Sequence, residues 1–158
     1  MRIGVISDTH LPGYDEGLQR VIDEHFRDCE MILHAGDLVD VRVLDMFHGK
    51  QVRAVRGNMD PPSAQRVLPV SLTLQFGPLT LALIHGGGAP EGLEDRLVKR
   101  FSRPDCLVYG HTHVPANQVR DGVFFFNPGS PLNGRRASCN SIGILEISDT
   151  IRGNIIIL

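Results

Sequence analysis

The sequence predicts a layered α/β fold with a mixed sheet or two packed sheets, and three observations predict it. Short apolar runs, often β-branched, alternate with helical patterns through the first part of the chain. From residue 106 onward the helical patterns stop and strands joined by turns take over. Six of the apolar runs end abruptly on a polar residue, usually beside glycine, as buried strands bounded by turns do.

The elements follow in chain order. IGVISDTH (3–10) is the first strand and its polar end. Leu18, Val21, Ile22 and His25–Phe26 then recur at helical spacing. MILHAGD (31–37) is a second strand, and Val41, Leu44 and Phe47 mark a second helix. VRAVRGNMD (52–60) and LALIHGG (81–87) are strands three and four. A third helix opens at Pro90–Glu91, residue types suited to a first helical turn, and carries Leu93, Leu97 and Val98. After CLVYGHTH (106–113) come ANQVRDG, the FFFNPGS run (124–130), NSIGILEIS and RGNIIIL, which read as antiparallel strands joined by turns.

Length and composition bound the function. A chain of 158 residues fits a single domain, 1–158, with a real hydrophobic core. A formal charge of −2 offers no large positive field for nucleic acid or an anionic membrane. No stretch approaches a membrane span, and the start is too short in apolar residues for a signal-peptide core. Cys29, Cys106 and Cys139 are odd in number, widely spaced and without a Cys-x-x-Cys pair, which reads as reduced thiols of a cytoplasmic protein. The apolar end Ile155–Leu158 is either a core strand or an interface edge, which leaves a homo-oligomer open.

In open α/β sheets, ligands bind beyond the carboxyl ends of the strands, where all six polar clusters fall. Four of the seven histidines, His10, His85, His111 and His113, stand there with Asp8, Asp37 and Asn58. Singly, Asp8-x-His10, Gly36–Asp37 and His111-x-His113 are weak signals. Together they offer four imidazoles, two carboxylates and an amide oxygen, a mixed set suited to Mn, Fe, Ni, Co or Zn. Seven donors exceed one tetrahedral site but suit two metals if one carboxylate bridges. His25 and His48 on helices, and His34 inside a strand, read as structural.

The ordered segments Asp8-Thr9-His10, Gly36-Asp37, Gly57-Asn58-Met59-Asp60, His85-Gly86 and Gly110-His111-Thr112-His113 resemble the calcineurin-like metallophosphoesterases. With Asn127-Pro128-Gly129-Ser130, they resemble the compact prokaryotic phosphodiesterase branch, whose fold a retromer scaffold subunit shares. The resemblance implies a two-sheet sandwich flanked by helices and hydrolysis of a small phosphate ester, a diester foremost. It implies one divalent metal on Asp8, His10, Asp37 and His113, and another on Asp37, Asn58, His85 and His111, with Mn²⁺ the leading candidate. Asp37, Asn58 and His111 are the expected catalytic residues, serving a hydroxide held between the metals. Asn58 and the backbone of Gly129–Ser130 are candidates for phosphate contact, against a plain turn for the latter pair.

Met59 stands where the family usually carries a histidine. Asp60 is expected to orient a ligand histidine or to be an exposed acid. Gly86–Gly92 reads as a flexible loop beside the site, and Arg135–Arg136 as solvated loop charges. The rival reading is a scaffold module of the same fold with little catalysis.

Overall fold

The computed structural model describes residues 1–132 and 139–158. Its strands are β1 (Arg2–Ile6), β2 (Met31–His34), β3 (Gln51–Ala54), β4 (Ser71–Phe76), β5 (Leu79–Ile84), β6 (Cys106–Val108), β7 (Ala116–Arg120), β8 (Val123–Asn127), β9 (Ser141–Ile147) and β10 (Ile151–Ile157). Helices α1 (Glu16–His25), α2 (Pro62–Val67) and α3 (Leu93–Val98) accompany them, with a 3₁₀ helix at Val41–Phe47. The strands form two five-stranded sheets, ordered β10-β9-β1-β2-β3 and β4-β5-β6-β8-β7. Both are mixed. β1, β2 and β3 run parallel and are extended by antiparallel β9 and β10. β5, β6 and β8 run parallel between antiparallel β4 and β7.

Strand alternation sorts side chains into three apolar layers. Ile3, Val5 and Leu33 of the first sheet meet Leu81, Leu83, Val108 and Phe126 of the second in the central layer. The opposite face of the first sheet, with Ile6, Ile32 and Ile144, buries Leu18, Ile22 and Phe26 of α1 and Phe47 of the 3₁₀ helix. The outer face of the second sheet, with Ala82, Leu107 and Phe125, covers Leu93 and Leu97 of α3. The parallel strands β1, β2, β5, β6 and β8 are thus largely buried on both sides, which explains their mostly apolar sequences.

The second expected helix is a 3₁₀ helix, in keeping with Val41, Leu44 and Phe47 at intervals of three. α2 and β4 lie between the third and fourth expected strands, where no helix or strand is assigned from the sequence. β4 is nevertheless written in its alternation, Leu72, Leu74 and Phe76 all packing on the central core. The antiparallel expectation for the later strands holds for β7, β9 and β10, while β8 also pairs in parallel with β6. β10 closes one edge of its sheet, with Ile155 and Ile156 packed on the core layers and Ile157 exposed. Arg135 and Arg136 lie outside the described residues. No helix among the described residues is long and apolar enough to cross a membrane.

Candidate metal centre

The loops leaving β1, β2, β3, β5 and β6 meet at one rim. Backbone bonds zip the first two together: Asp8 N donates to the Gly36 carbonyl at 2.9 Å and His10 N to the Asp37 carbonyl at 3.1 Å. Gly110 N donates to the His85 carbonyl at 3.0 Å, joining the last two. Glycine is required where these loops press on the acids. A Cβ on Gly57 would stand 2.1 Å from Asp37 Oδ1, and one on Gly110 would stand 2.0 Å from Ser7 Oγ.

All seven sequence-predicted donors come together here. Asp8 Oδ1 lies 3.2 Å from His113 Nε2 and 3.9 Å from His10 Nε2. The Nε2 atoms of His10 and His113 face each other at 3.3 Å. Asp37 Oδ2 lies 3.2 Å from His85 Nε2 and 3.9 Å from His10 Nε2, so one carboxylate oxygen faces both halves of the cluster. Asn58 Oδ1 lies 3.2 Å from His85 Nε2 and 2.8 Å from His111 Nδ1. Asp8 also reaches His85, at 3.9 Å, so the two buried acids share that ring.

Five of these residues, Asp8, His10, Asp37, His111 and His113, adopt left-handed backbone, with φ between 50° and 70°. Such conformations cost on the order of 1–3 kcal/mol each in a residue with a Cβ, and they cluster where function fixes a side chain. Among the described non-glycine residues only Val39, Arg103 and Asp121 share this conformation without being predicted donors.

The hydrogen bonds orient the donors for a cation. Ser7 Oγ–H donates to Asp8 Oδ2 at 2.6 Å, and His111 N–H donates to the same oxygen at 3.1 Å. Oδ1 of Asp8 stays buried and accepts no hydrogen bond among the described residues. A buried carboxylate oxygen with no donor is costly unless a cation meets it. His85 donates its Nδ1–H to the Ala35 carbonyl at 2.7 Å, which leaves Nε2 as a lone pair aimed at Asp37 and Asn58. His111 donates its Nε2–H to the Gly88 carbonyl at 2.9 Å, which leaves Nδ1 facing the Asn58 oxygen. Two lone pairs thus converge on one amide oxygen, an arrangement that a cation resolves. The donor set fits divalent metal, and two overlapping groups, Asp8–His10–His113 and Asp8–Asp37–His85, are compact enough to hold ions.

The charges agree with this geometry. Burial lowers the proton affinity of His10 despite Asp37 and Asp8 beside it. Burial alone would raise the Asp37 carboxyl, but the hydrogen bond and charge of His85 and the Met59 N–H hold it below its ordinary value. Burial opposes protonation of His85 as well, and there Asp37 and Asp8 prevail and raise it.

Several expectations change. Asp60 neither orients a histidine nor lies exposed. It is buried, and its carboxylate accepts from the N–H groups of Asp37 (3.1 Å), Gly57 (2.7 Å) and Val39 (2.7 Å), tying two loops of the cluster together. Gly129 N–H is taken by Asn127 Oδ1 at 2.9 Å and the Ser130 hydroxyl by the Asp8 carbonyl at 2.8 Å. Those bonds brace the loop beneath Asp8. Met59 is 60% exposed, and its N–H donates to Asp37 Oδ1 at 2.7 Å. His34 is structural as expected: it accepts from Gly36 N–H at Nδ1, and its Nε2 lies 3.2 Å from the Thr9 hydroxyl. His25 ends α1 and His48 follows the 3₁₀ helix, both apart from the cluster. Ser7 and the Gly88 carbonyl were missed. A serine before a ligand acid is a signal of sorts, whereas a backbone carbonyl leaves none.

The family model of the calcineurin-like phosphoesterase superfamily domain matches residues 1–150. A probable metallophosphoesterase of Methanocaldococcus jannaschii is 36% identical, covering 99% of this chain and 81% of its own length. The phosphodiesterase YfcE of Escherichia coli is 38% identical over 61% of this chain and 53% of its own. The structure is similar to that of Vps29 from Entamoeba histolytica complexed with zinc, with TM-score 0.72 and 21% identity over 99% of both chains, a likeness of fold.

Proposed function

Because the chain belongs to the calcineurin-like phosphoesterase superfamily and is thereby a metal-dependent phosphoesterase, we propose that it hydrolyses small phosphodiesters at a two-metal centre. One cation would be held by Asp8, His10, Asp37 and His113, the other by Asp37, Asn58, His85 and His111, with Asp37 shared. The mixed nitrogen and oxygen donors favour Mn²⁺, with Fe, Co, Ni or Zn as competitors for the same set. The whole of 1–158 acts as one such domain in this reading, and the buried free thiols Cys29 and Cys106 suit the cytoplasm.

When bound, a pair of divalent cations supplies Lewis acidity, which makes water nucleophilic near neutral pH and offsets charge gathering on phosphoryl oxygens. The chain supplies the rest. Asp37 presents Oδ2 to both halves of the cluster while Oδ1 is held by the Met59 N–H. Ser7 and the His111 N–H occupy Asp8 Oδ2 and turn Oδ1 inward. Asn58 offers a neutral carbonyl at the exposed edge of the cluster. These contacts preorganise the donors, so little is spent on reordering them as charge develops.

The observation that carries the proposal is the convergence of imidazole nitrogens on Asp8 Oδ1, which accepts no hydrogen bond among the described residues, and on Asn58 Oδ1, with five of the seven donors in left-handed backbone. A scaffold needs no such strain. Protein reconstituted with excess Mn²⁺ should contain two metals per chain and cleave an aryl phosphodiester. Asp37→Asn should lose metal from both positions, and His25→Ala should keep both. Elemental analysis finding at most one metal per chain would refute the two-metal reading.

A further inference from the structure

The two histidines that face Asn58 are held in unlike ways. His85 gives its Nδ1–H to the carbonyl of Ala35, a fully buried residue at the end of a core strand. His111 gives its Nε2–H to the carbonyl of Gly88, in the run Gly86-Gly87-Gly88. That run has no side chains to pack, and a Cβ on Gly87 or Gly88 would meet nothing within 4 Å. A ligand ring is only as well oriented as the group that holds its other nitrogen.

What holds this loop comes from α3. Arg96 reaches back from the helix, its Nη1 donating to the Glu91 carbonyl at 2.6 Å and its Nη2 to the Ala89 carbonyl. The helix is itself anchored: Leu93 and Leu97 are buried on the second sheet, and Glu94 accepts from the Tyr109 hydroxyl and from Gln118. A continuous path therefore runs from the apolar core through α3, Arg96 and Ala89 to the Gly88 carbonyl and the His111 ring.

We propose that Arg96 is a positioning residue of the metal centre, its guanidinium fork fixing the glycine loop so that Gly88 holds His111 with Nδ1 turned toward Asn58. The claim rests on His111 and Asn58 serving the second cation. The planar fork matters because it spans two carbonyls at once, which a lysine ammonium on a flexible stem does not do with the same geometry.

The test uses Arg96→Met and Arg96→Lys. Arg96 is exposed, so neither change removes a core contact. In metal-free protein at mildly alkaline pH, long-range proton–nitrogen spectra of the imidazoles report each tautomer. Wild type should show His111 as the Nε2–H form, the methionine variant a mixture, and the lysine variant an intermediate state. His85 should keep its Nδ1–H in all three, as the internal control. In Mn²⁺ titrations, Arg96→Met should weaken one of the two sites by about 10–100-fold and leave the other unchanged. An unchanged His111 tautomer, or a changed tautomer with both Mn²⁺ affinities intact, would overturn the proposal. If wild type itself binds fewer than two Mn²⁺, the two-cation reading falls, and the metal-free spectra alone still decide the role of Arg96.

Discussion

His34 sits beneath the candidate metal centre, fully buried, with Gly36 N–H filling its Nδ1 and the Thr9 hydroxyl at its Nε2. A proton on Nδ1 would face an N–H donor in a dry site, and burial accordingly lowers the pKa from 6.5 to about 3. The linkage has a definite sign. Below 6.5 the unfolded chain takes up a proton that the native ring refuses, so stability is complete above that value and falls as pH drops toward 3. His10, lowered for the same reason, adds to the slope. Raised His85 acts oppositely: its contribution is present below 6.5 and fades as pH rises through its folded value. Depressed Asp37 loses its contribution only under the ordinary carboxylate range. Denaturation midpoints of the metal-free protein should therefore fall from pH 6.5 to pH 4, where His34 and His10 dominate. His34→Asn should be less stable than wild type at pH 8 by about 1–3 kcal/mol, through the lost Thr9 contact, yet show a shallower fall in acid. An equally steep fall in that variant would remove His34 as its source.

At the scale of elements, what the sequence revealed depended on where the information lay. β1, β2, β5, β6 and β8 were legible because strands buried on both faces are largely apolar, whereas the edge strand β3, with Gln51 and Arg53 exposed, was legible mainly from the polar cluster that ends its run. The donors were legible because side-chain type carries their chemistry and strand ends mark their place. β4 was missed although Leu72, Leu74 and Phe76 alternate, because a half-buried edge strand resembles a polar loop. The 3₁₀ helix was read as an ordinary helix, since three apolar residues at intervals of three suit either. Asp60 was misread because its partners are backbone N–H groups from two loops, which no local pattern announces. Gly110 shows the same limit from the other side: its sequence context reads as a turn, yet its need is close approach. Gly110→Ala would press a methyl on Ser7 Oγ at 2.0 Å and Asp8 Oδ2 at 2.7 Å, in a pocket closed by two loops. It should destabilise the fold by about 2–4 kcal/mol and cost the metal at Asp8. Thermal melts and elemental analysis check both effects, and a stable variant with full metal content would refute them.

For the whole molecule, the sandwich places an acidic, imidazole-rich centre at one rim and leaves Met59 60% exposed beside it. Its backbone N–H serves Asp37, so the main chain of this position is committed to the centre while its side chain faces solvent. A thioether cannot protonate a departing alkoxide or offer positive charge to a phosphate. Turnover should then depend steeply on the leaving group, with aryl esters cleaved well and simple alkyl esters poorly. A diester carries one negative charge where a monoester carries nearly two, so it loses less by the missing positive contact. Diesters should therefore be preferred over monoesters, and activated diesters most of all. Positioned general acids contribute about 10²–10⁴-fold, which bounds what Met59→His could restore on poorer leaving groups if the ring reaches them. Because the methionine side chain is exposed, the substitution should change stability by no more than about 0.5 kcal/mol, so any rate change reports chemistry. Matched aryl mono- and diesters compared on the wild-type protein decide the main claim, and faster hydrolysis of the monoester would refute it.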